Sequence, residues 1–311
     1  MTPSALLDRV RRAIDSLIAI GDRYDGLFPS LIDPSAEQML TVLPPAIEGQ
    51  RNGDRAHLGS NLVHDEALLA TMYALEGYAE AADRYLQTFA RKCTNTVSGL
   101  FPWGEHAYWH LVEDRPANSY LLRDPDREVP LTHDHLRATP LWLWEKLWSL
   151  NPDCVLRFAE GLDNHWVEIE PVEFIRHAYI DERRRHRAGG SSCDFPRHSG
   201  FYLWDLSFAY EKSRREDFLQ QIVSFLDYWW EKRFPDGLLL SESRTTDGDS
   251  LHGQRGATQT FSLAVSLLES ADLLEDVEAP LAEEMRRRAT VYADGFHAAP
   301  HDLGEGRFVI S

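Results

Sequence analysis

Residues 64–93 read HDEALLATMYALEGYAEAADRYLQTFARKC, and this stretch decides the fold class. It contains two segments, 64–76 and 78–93, in which apolar residues recur at intervals of three and four. This spacing is typical of amphipathic helices. Gly77 lies between the segments, where a glycine commonly ends a helix. The stretch therefore predicts a helical hairpin with a very short turn.

The same pattern occurs along most of the chain and predicts an all-α protein. Three more pairs of apolar-periodic segments follow, at 135–149 with 152–166, 200–213 with 215–233, and 256–273 with 278–297. Further helices are expected over 3–24, 36–41 and 172–186, and short strands only near 238–243 and 307–310. No fixed-length repeat is visible, which disfavours open repeat arrays. We therefore expect an (α/α) toroid or barrel of about six or seven helical hairpins. The expected domain is a single one over residues 1–311, which either closes with a short C-terminal strand or is truncated there.

The composition narrows the classes of partner. The formal net charge of −18 over 311 residues would repel nucleic acid and anionic membrane surfaces. The N-terminal segment is an amphipathic helix without the apolar core of a leader, and no membrane span is expected. The sequence predicts a soluble protein, cytoplasmic as given, or periplasmic or secreted if a leader has been removed. Its cysteines (Cys93, Cys154 and Cys193) are widely spaced and indicate no disulfide framework.

The first polar cluster is the segment 49–66, which precedes a strongly apolar helix. Arg51, Asn61 and His64 are its candidate substrate-binding residues. One interpretation is a solvated loop in which Asn61 or His64 caps the helix. The other is a cleft rim that binds sugar hydroxyl and carboxylate groups.

The second cluster, 99–114, interleaves aromatic and charged residues. Trp103 and Trp109 could stack on sugar rings while Glu105 binds hydroxyl groups, and His106 is a candidate catalytic residue. Core packing of the tryptophans is the alternative. His106 and His110 are four residues apart and would share one face of a helix, but no third ligand is suggested. No cofactor is therefore predicted, and a divalent metal stays an alternative without support.

Two later clusters complete the set. In 191–213, Arg197, His198 and Tyr202 precede or begin a helix, and His198 and Tyr202, four residues apart, could form a base and acid couple. A capping histidine with a core tyrosine is the alternative. In 238–260, Glu242 and Arg244 are candidate substrate-binding residues of what could equally be a long surface loop.

Three segments, RNGDRAHLGSNLVHDE (51–66), LFPWGEHAYWH (100–110) and DFPRHSGFYLWDLSFAYE (194–211), resemble helical-toroid polysaccharide lyases. These enzymes act on uronate polymers such as alginate, glucuronan or pectate. The resemblance implies that a tyrosine or histidine removes the C5 proton and that a polar or cationic group neutralises the carboxylate. Tyr202 is then the preferred proton-transfer residue, with His198 or His106 as its partner. Arg197, Asn61 or Arg51 would neutralise the carboxylate of an acidic polysaccharide or oligosaccharide.

Other functions remain open from the sequence. A toroid glycoside hydrolase would need two carboxyl groups, and Asp65, Glu105, Asp205 and Glu242 are available. A sugar epimerase using histidines or carboxylates is another enzyme alternative. A non-catalytic glycan-binding helical protein is the alternative from a different class. The isolated His133, His135 and His165 are expected to be structural.

Overall fold

The computed structural model describes residues 2–45, 47–48, 56–119, 131–134, 138–167, 174–185, 195–241, 255–302 and 307–308. Its helices are α1 (Pro3–Gly21), α2 (Leu62–Ala74), α3 (Ala79–Thr88), α4 (Leu141–Leu150), α5 (Pro152–Gly161), α6 (Pro196–Ser213), α7 (Glu216–Lys232), α8 (Ala257–Leu274) and α9 (Ala279–Ala298). Its strands are β1 (Ile32–Asp33), β2 (Gln38–Met39), β3 (Gly59–Ser60), β4 (Ala107–His110), β5 (Arg115–Asn118), β6 (Thr132–Asp134), β7 (His177–Tyr179), β8 (His301–Asp302) and β9 (Arg307–Phe308).

The all-α prediction is confirmed. The four predicted helix pairs correspond to α2 with α3, α4 with α5, α6 with α7, and α8 with α9. A π-helical turn, Phe89–Cys93, continues α3, and a 3₁₀ turn, Leu162–His165, continues α5. The described residues contain nine α-helices. No described helix combines the length and the apolar character needed to cross a membrane.

Several local predictions were wrong. The expected helix at 36–41 contains β2, which pairs antiparallel with β1, because a six-residue segment is too short to form a stable helix alone. Of the expected helix at 172–186, the described residues 174–185 contain β7 instead, and 172, 173 and 186 lie outside the described residues. The strand expected at 238–243 is reduced to a single bridge between Leu240 and Arg255, with 242 and 243 outside the described residues. At the C-terminus, β9 covers part of the expected strand.

The chain forms two compact units. The first contains residues 1–134, 145–158 and 179–183, and the second contains 135–144, 159–178 and 184–311. The single domain predicted from the sequence stays a prediction.

In the first unit, a small sheet holds the start of α2. The strands pair antiparallel in the order β3–β4–β5, with Ser60 opposite Trp109. Gly59 packs directly on the ring of Tyr108, and a Cβ atom at this position would lie 2.1 Å from Cδ2 of that ring. Because β3 ends one residue before the N-cap of α2, this close packing fixes where α2 begins.

In the second unit, α6 is the central helix. It packs against α7 and α8, and α8 packs against α9. Gly200 allows α6 to approach α8 closely, since a Cβ atom there would lie 2.7 Å from Oγ of Ser266. Nearly every residue from Pro196 to Tyr210 is buried. The polar side chains of this segment therefore lie in the interior of the unit.

Candidate active site

Three polar side chains of the first unit form a hydrogen-bonded triangle. The Tyr85 hydroxyl donates to Oδ2 of Asp65 at 2.7 Å, and Oγ of Ser60 lies 2.9 Å from the same hydroxyl. Ser60 also donates to Oδ2 of Asp65 at 3.4 Å. Asp65 lies in the first turn of α2, Tyr85 on α3 and Ser60 on β3. The hairpin fold thus brings together an acid and a tyrosine that are 20 residues apart in the chain.

The environment changes the acidity of this carboxyl group. Burial disfavours its charged form and raises the pKa of Asp65 to about 7, although hydrogen bonds from Tyr85 and Ser60 act in the opposite direction. Burial and the nearby Asp65 charge also raise the pKa of the Tyr85 hydroxyl, so it stays a donor. A carboxyl group that titrates near neutral pH can both give and accept a proton there. This property makes the triangle a candidate acid–base centre.

Asn61 connects the triangle to the segment that carries Glu105 and His106. Its Oδ1 accepts hydrogen bonds from the backbone N–H groups of Val63 and Gly104, and its Nδ2 donates to the Gly104 carbonyl at 2.7 Å. The predicted capping role of Asn61 is confirmed. Its amide is engaged in this connection and is buried, which favours a structural role.

Glu105 and His106 lie next to each other in the interior of the first unit. Oε2 of Glu105 is 3.8 Å from Nε2 of His106, and both side chains are buried. His106 and His110 do not share one face of a helix, since the intervening segment forms the extended strand β4. Residues four apart in a strand are separated by roughly 13 Å, too far to share one metal ion. Within the described residues, no group of three or more histidine, cysteine or acidic side chains could hold a metal ion.

Trp103, one of the candidate sugar platforms, packs among aromatic rings inside the first unit. The indole N–H of Trp103 donates to Nε2 of His133 at 2.8 Å, and the Trp103 ring contacts the rings of Phe89, Phe101 and Phe158.

Trp109 and His64 lie elsewhere in the first unit. Trp109 is buried on β4 and donates to Asp114. His64 is exposed on α2. The substrate-binding roles assigned to Trp103, Trp109 and His64 stay predictions, and the burial of both tryptophans favours the packing alternative.

Tyr202 lies at the centre of the second unit. Its hydroxyl is 3.1 Å from Nδ1 of His165, and both groups lie within hydrogen-bonding distance of the Ile175 carbonyl. The rings of Trp166 and Phe174 pack on it. Tyr202 and His165 are both fully buried. The catalytic role assigned to Tyr202 stays a prediction, and its enclosure favours a structural role.

The neighbours of Tyr202 on α6 are also enclosed. The His198 ring is fully buried and lies beside the rings of Phe195 and Phe201. Arg197 is half-buried, and its backbone N–H donates to Oε1 of Gln259. The predicted residues Arg51, Glu242 and Arg244 lie outside the described residues.

Sequence reasoning named Asp65 only as an available carboxyl group and missed Tyr85 and Ser60. The predicted hairpin of 64–76 and 78–93 already implied that the start of one helix lies near the end of the other. That signal could have paired Asp65 with Tyr85. The partner of Tyr202 was also missed, because His165 is 37 residues away in the chain.

Comparisons with known proteins support the fold class. The chain is similar to a sugar epimerase from a ruminal bacterium with a TM-score of 0.56 and 9% identity, covering 96% of this chain and 73% of the epimerase. This similarity is of fold alone, and the fold belongs to the (α/α) toroid class.

Weaker similarities involve unsaturated glucuronyl hydrolases. The enzyme from Streptococcus agalactiae gives a TM-score of 0.47 at 11% identity, with 75% of this chain and 57% of that chain covered. The enzyme from Bacillus sp. GL1 gives a TM-score of 0.47 at 14% identity, with 75% of this chain and 60% of that chain covered. This chain thus spans about three fifths of their length. No family model and no curated protein matches the sequence.

Proposed function

We propose that this protein is a carbohydrate-active enzyme that hydrolyses a uronate-containing oligosaccharide, with Asp65 as its general acid. The observation that carries the proposal is the half-buried Asp65 carboxyl group, whose pKa is raised to about 7 beside the Tyr85 hydroxyl. The fold that the chain shares with a sugar epimerase supports a sugar as the substrate class. The three sequence segments that resemble uronate-specific toroid enzymes support an acidic sugar.

In this mechanism, the protonated Asp65 donates its proton to the glycosidic oxygen as the bond between that oxygen and the anomeric carbon breaks. Water supplies the hydroxyl group that replaces the leaving sugar at the anomeric carbon. A second carboxyl group must either activate the water or attack the anomeric carbon itself. We assign this role to Glu105, which lies in the segment that Asn61 joins to the start of α2.

The hydrogen bond from Tyr85 gives a test by pH dependence. Because this hydrogen bond lowers the pKa of Asp65, Tyr85→Phe is expected to raise that pKa further. A general acid is active while protonated, so the alkaline limb of the kcat/KM profile should move to higher pH. Tyr73→Phe is the matched control, since Tyr73 donates at 2.6 Å to the carboxylate of Asp83 elsewhere in the unit. An alkaline limb that does not move in the Tyr85 variant would remove Asp65 from the acid role.

Epimerisation is the second candidate, and the similarity in fold to the sugar epimerase favours it. It needs a group that removes and returns a proton at one sugar carbon. A carboxyl group that titrates near neutrality is suited to that task as well. The two candidates therefore share Asp65 and differ in product.

The β-elimination predicted from the sequence depends on Tyr202. Because the Tyr202 hydroxyl is fully buried against His165 and Ile175, we expect Tyr202→Phe to retain near-wild-type turnover. Its cost should be a loss of about 1 kcal/mol of stability, the usual contribution of a buried hydrogen bond. Turnover of the purified variant on the best substrate is the measurement. Complete loss of turnover in a folded variant would instead support the elimination mechanism.

A substrate panel separates the reactions directly. The full chain is incubated with alginate, glucuronan, polygalacturonate and unsaturated uronyl oligosaccharides, and ultraviolet absorbance, reducing ends and NMR spectra are recorded. New reducing ends, or loss of the near-ultraviolet absorbance of an unsaturated uronyl group, would support hydrolysis. A rise in that absorbance would establish β-elimination, and a change of configuration without cleavage would establish epimerisation. Binding without any reaction would support the non-catalytic alternative.

A further inference from the structure

The second unit holds three guanidinium groups around one indole ring. The guanidinium carbons of Arg233, Arg287 and Arg288 lie 3.5, 4.5 and 5.1 Å from the centre of the Trp230 ring. Such contacts are attractive because the face of an indole carries negative potential. In a chain of net charge −18, this concentration of positive charge is a local exception.

The positive charges of this cluster exceed its negative charges. Arg287 and Arg288 both bind the Glu284 carboxylate, and Arg288 also binds Asp227. Arg233 donates to a main-chain carbonyl oxygen and has no carboxylate partner among the described residues. Counted over the described ranges, three guanidinium groups therefore face two carboxylates, and Arg233 is the one without a carboxylate partner.

Two buried donors of the same cluster also lack an acceptor. The Tyr292 hydroxyl and Nη1 of Arg288 have no hydrogen-bond partner within the part of the chain that the structure describes. Tyr292 lies on α9, one turn after Arg288, and its ring is 6.1 Å from that of Trp230. Buried polar groups in folded proteins are nearly always hydrogen-bonded. Both groups are shielded from solvent, so they are not accessible to a ligand from solution, whereas Arg233 lines an open cavity.

Arg233 lines a cavity of about 290 Å³. Its other lining residues are Phe234, Pro235, Gly237 and Val291. The turn at Gly237 has a φ of +84° and packs so tightly on α9 that a Cβ atom would lie 2.6 Å from the Val291 carbonyl oxygen. The wall beside Arg233 is therefore closely packed.

We infer that this cavity, the Arg233 cleft, binds an oxyanion-bearing ligand, either a sugar carboxylate or a sulfate or phosphate ester. Arg233 provides the principal contact, because its guanidinium is oriented by Trp230 and has no carboxylate partner within the part of the chain that the structure describes. Arg255, which lies over the Phe234 ring, is paired with the Asp236 carboxylate. The inference does not depend on the reaction proposed for Asp65, which belongs to the first unit.

The test is calorimetric titration of the full chain with sulfate and with D-glucuronate, at an ionic strength held constant with chloride. Arg233→Gln is expected to weaken binding about ten- to a hundredfold, the usual effect of losing a charge-assisted hydrogen bond. Arg286→Gln is the matched control, because it removes the same charge from an exposed position on α9 that pairs with Asp272 and Glu275. Equal weakening in both variants, or no binding of either anion to the unmodified chain, would overturn the inference.

A second variant checks the geometry. Tyr292→Phe should leave both anion binding and the melting temperature of the free protein unchanged, since its hydroxyl is shielded from solvent and has no hydrogen-bond partner among the described residues. A tenfold loss of affinity in this variant would place the anion away from the Arg233 cleft and overturn the inference. Tighter binding of glucuronate than of sulfate would assign the cleft to a sugar carboxylate, and the reverse order to a sulfate or phosphate ester. Activity variants of Asp65 should bind the anion normally, which keeps this test separate from that of the proposed function.

Discussion

Asp65→Asn is expected to lower kcat by about 10²- to 10⁴-fold, because asparagine keeps the shape of the side chain but cannot donate a proton to a leaving oxygen. The measurement is turnover of the best substrate from the panel. Asp83→Asn is the matched control, since Asp83 also accepts a hydrogen bond from a tyrosine but is exposed beside Lys146. Comparable losses in both variants, or full activity of Asp65→Asn, would remove Asp65 from the mechanism.

The same substitution should stabilise the fold at neutral and alkaline pH. The pKa of Asp65 is about 7 in the folded chain against an ordinary value of 3.8, so the folded state holds a proton that the unfolded state releases between those values. The free energy of unfolding of the unmodified protein therefore falls as pH rises through this interval. The full shift corresponds to about 4 kcal/mol. Asp65→Asn also weakens the hydrogen bonds from Tyr85 and Ser60. We therefore expect the free energy of unfolding to increase by roughly 1–3 kcal/mol above pH 7.

Denaturant unfolding at several pH values measures this gain. The difference between the variant and the unmodified protein should be smallest near pH 4 and should grow until the Asp65 carboxyl is fully ionised. A residue kept for its chemistry commonly lowers stability in this way. A difference that does not change with pH would show that the carboxyl titrates at its ordinary value.

Trp103→Ala is expected to lower the free energy of unfolding by about 3–5 kcal/mol, the usual cost of deleting a large buried aromatic ring. The ring is only 4% exposed, is surrounded by phenylalanine rings, and its N–H holds His133. Chemical denaturation measures the loss. Trp103→Phe is the graded control. It should lower the free energy of unfolding by less than Trp103→Ala, because it keeps an aromatic ring and loses the N–H donor and part of the ring. Weakened sugar binding with unchanged stability would instead support the platform role predicted from the sequence.

The hairpins could be predicted because their signal is local. Apolar residues at helical spacing and a glycine between two segments report on a few turns of chain, and the bounds of α2, α3, α7, α8 and α9 fall close to the predicted ones. The failures have a local cause as well. Residues 36–41 and 172–186 carry apolar residues without enough length or periodicity to exclude extended structure, and strand pairing decided their conformation.

The sequence by itself determined an acidic, helical chain of paired segments, with polar clusters before several helices. Only the tertiary structure decided which polar groups could act as acids. Asp65 and Asp83 are both aspartates on the predicted hairpin, yet burial raises the pKa of Asp65. For Asp83, burial acts in the same direction, but hydrogen bonds from Lys146 and Tyr73 outweigh it and lower the pKa. Likewise, Trp103 could be read from the sequence as a sugar platform or as core, and its contacts with Phe101 and His133 favour the core. The physical reason is that burial, and the loss of hydration that accompanies it, depends on neighbours distant in the chain.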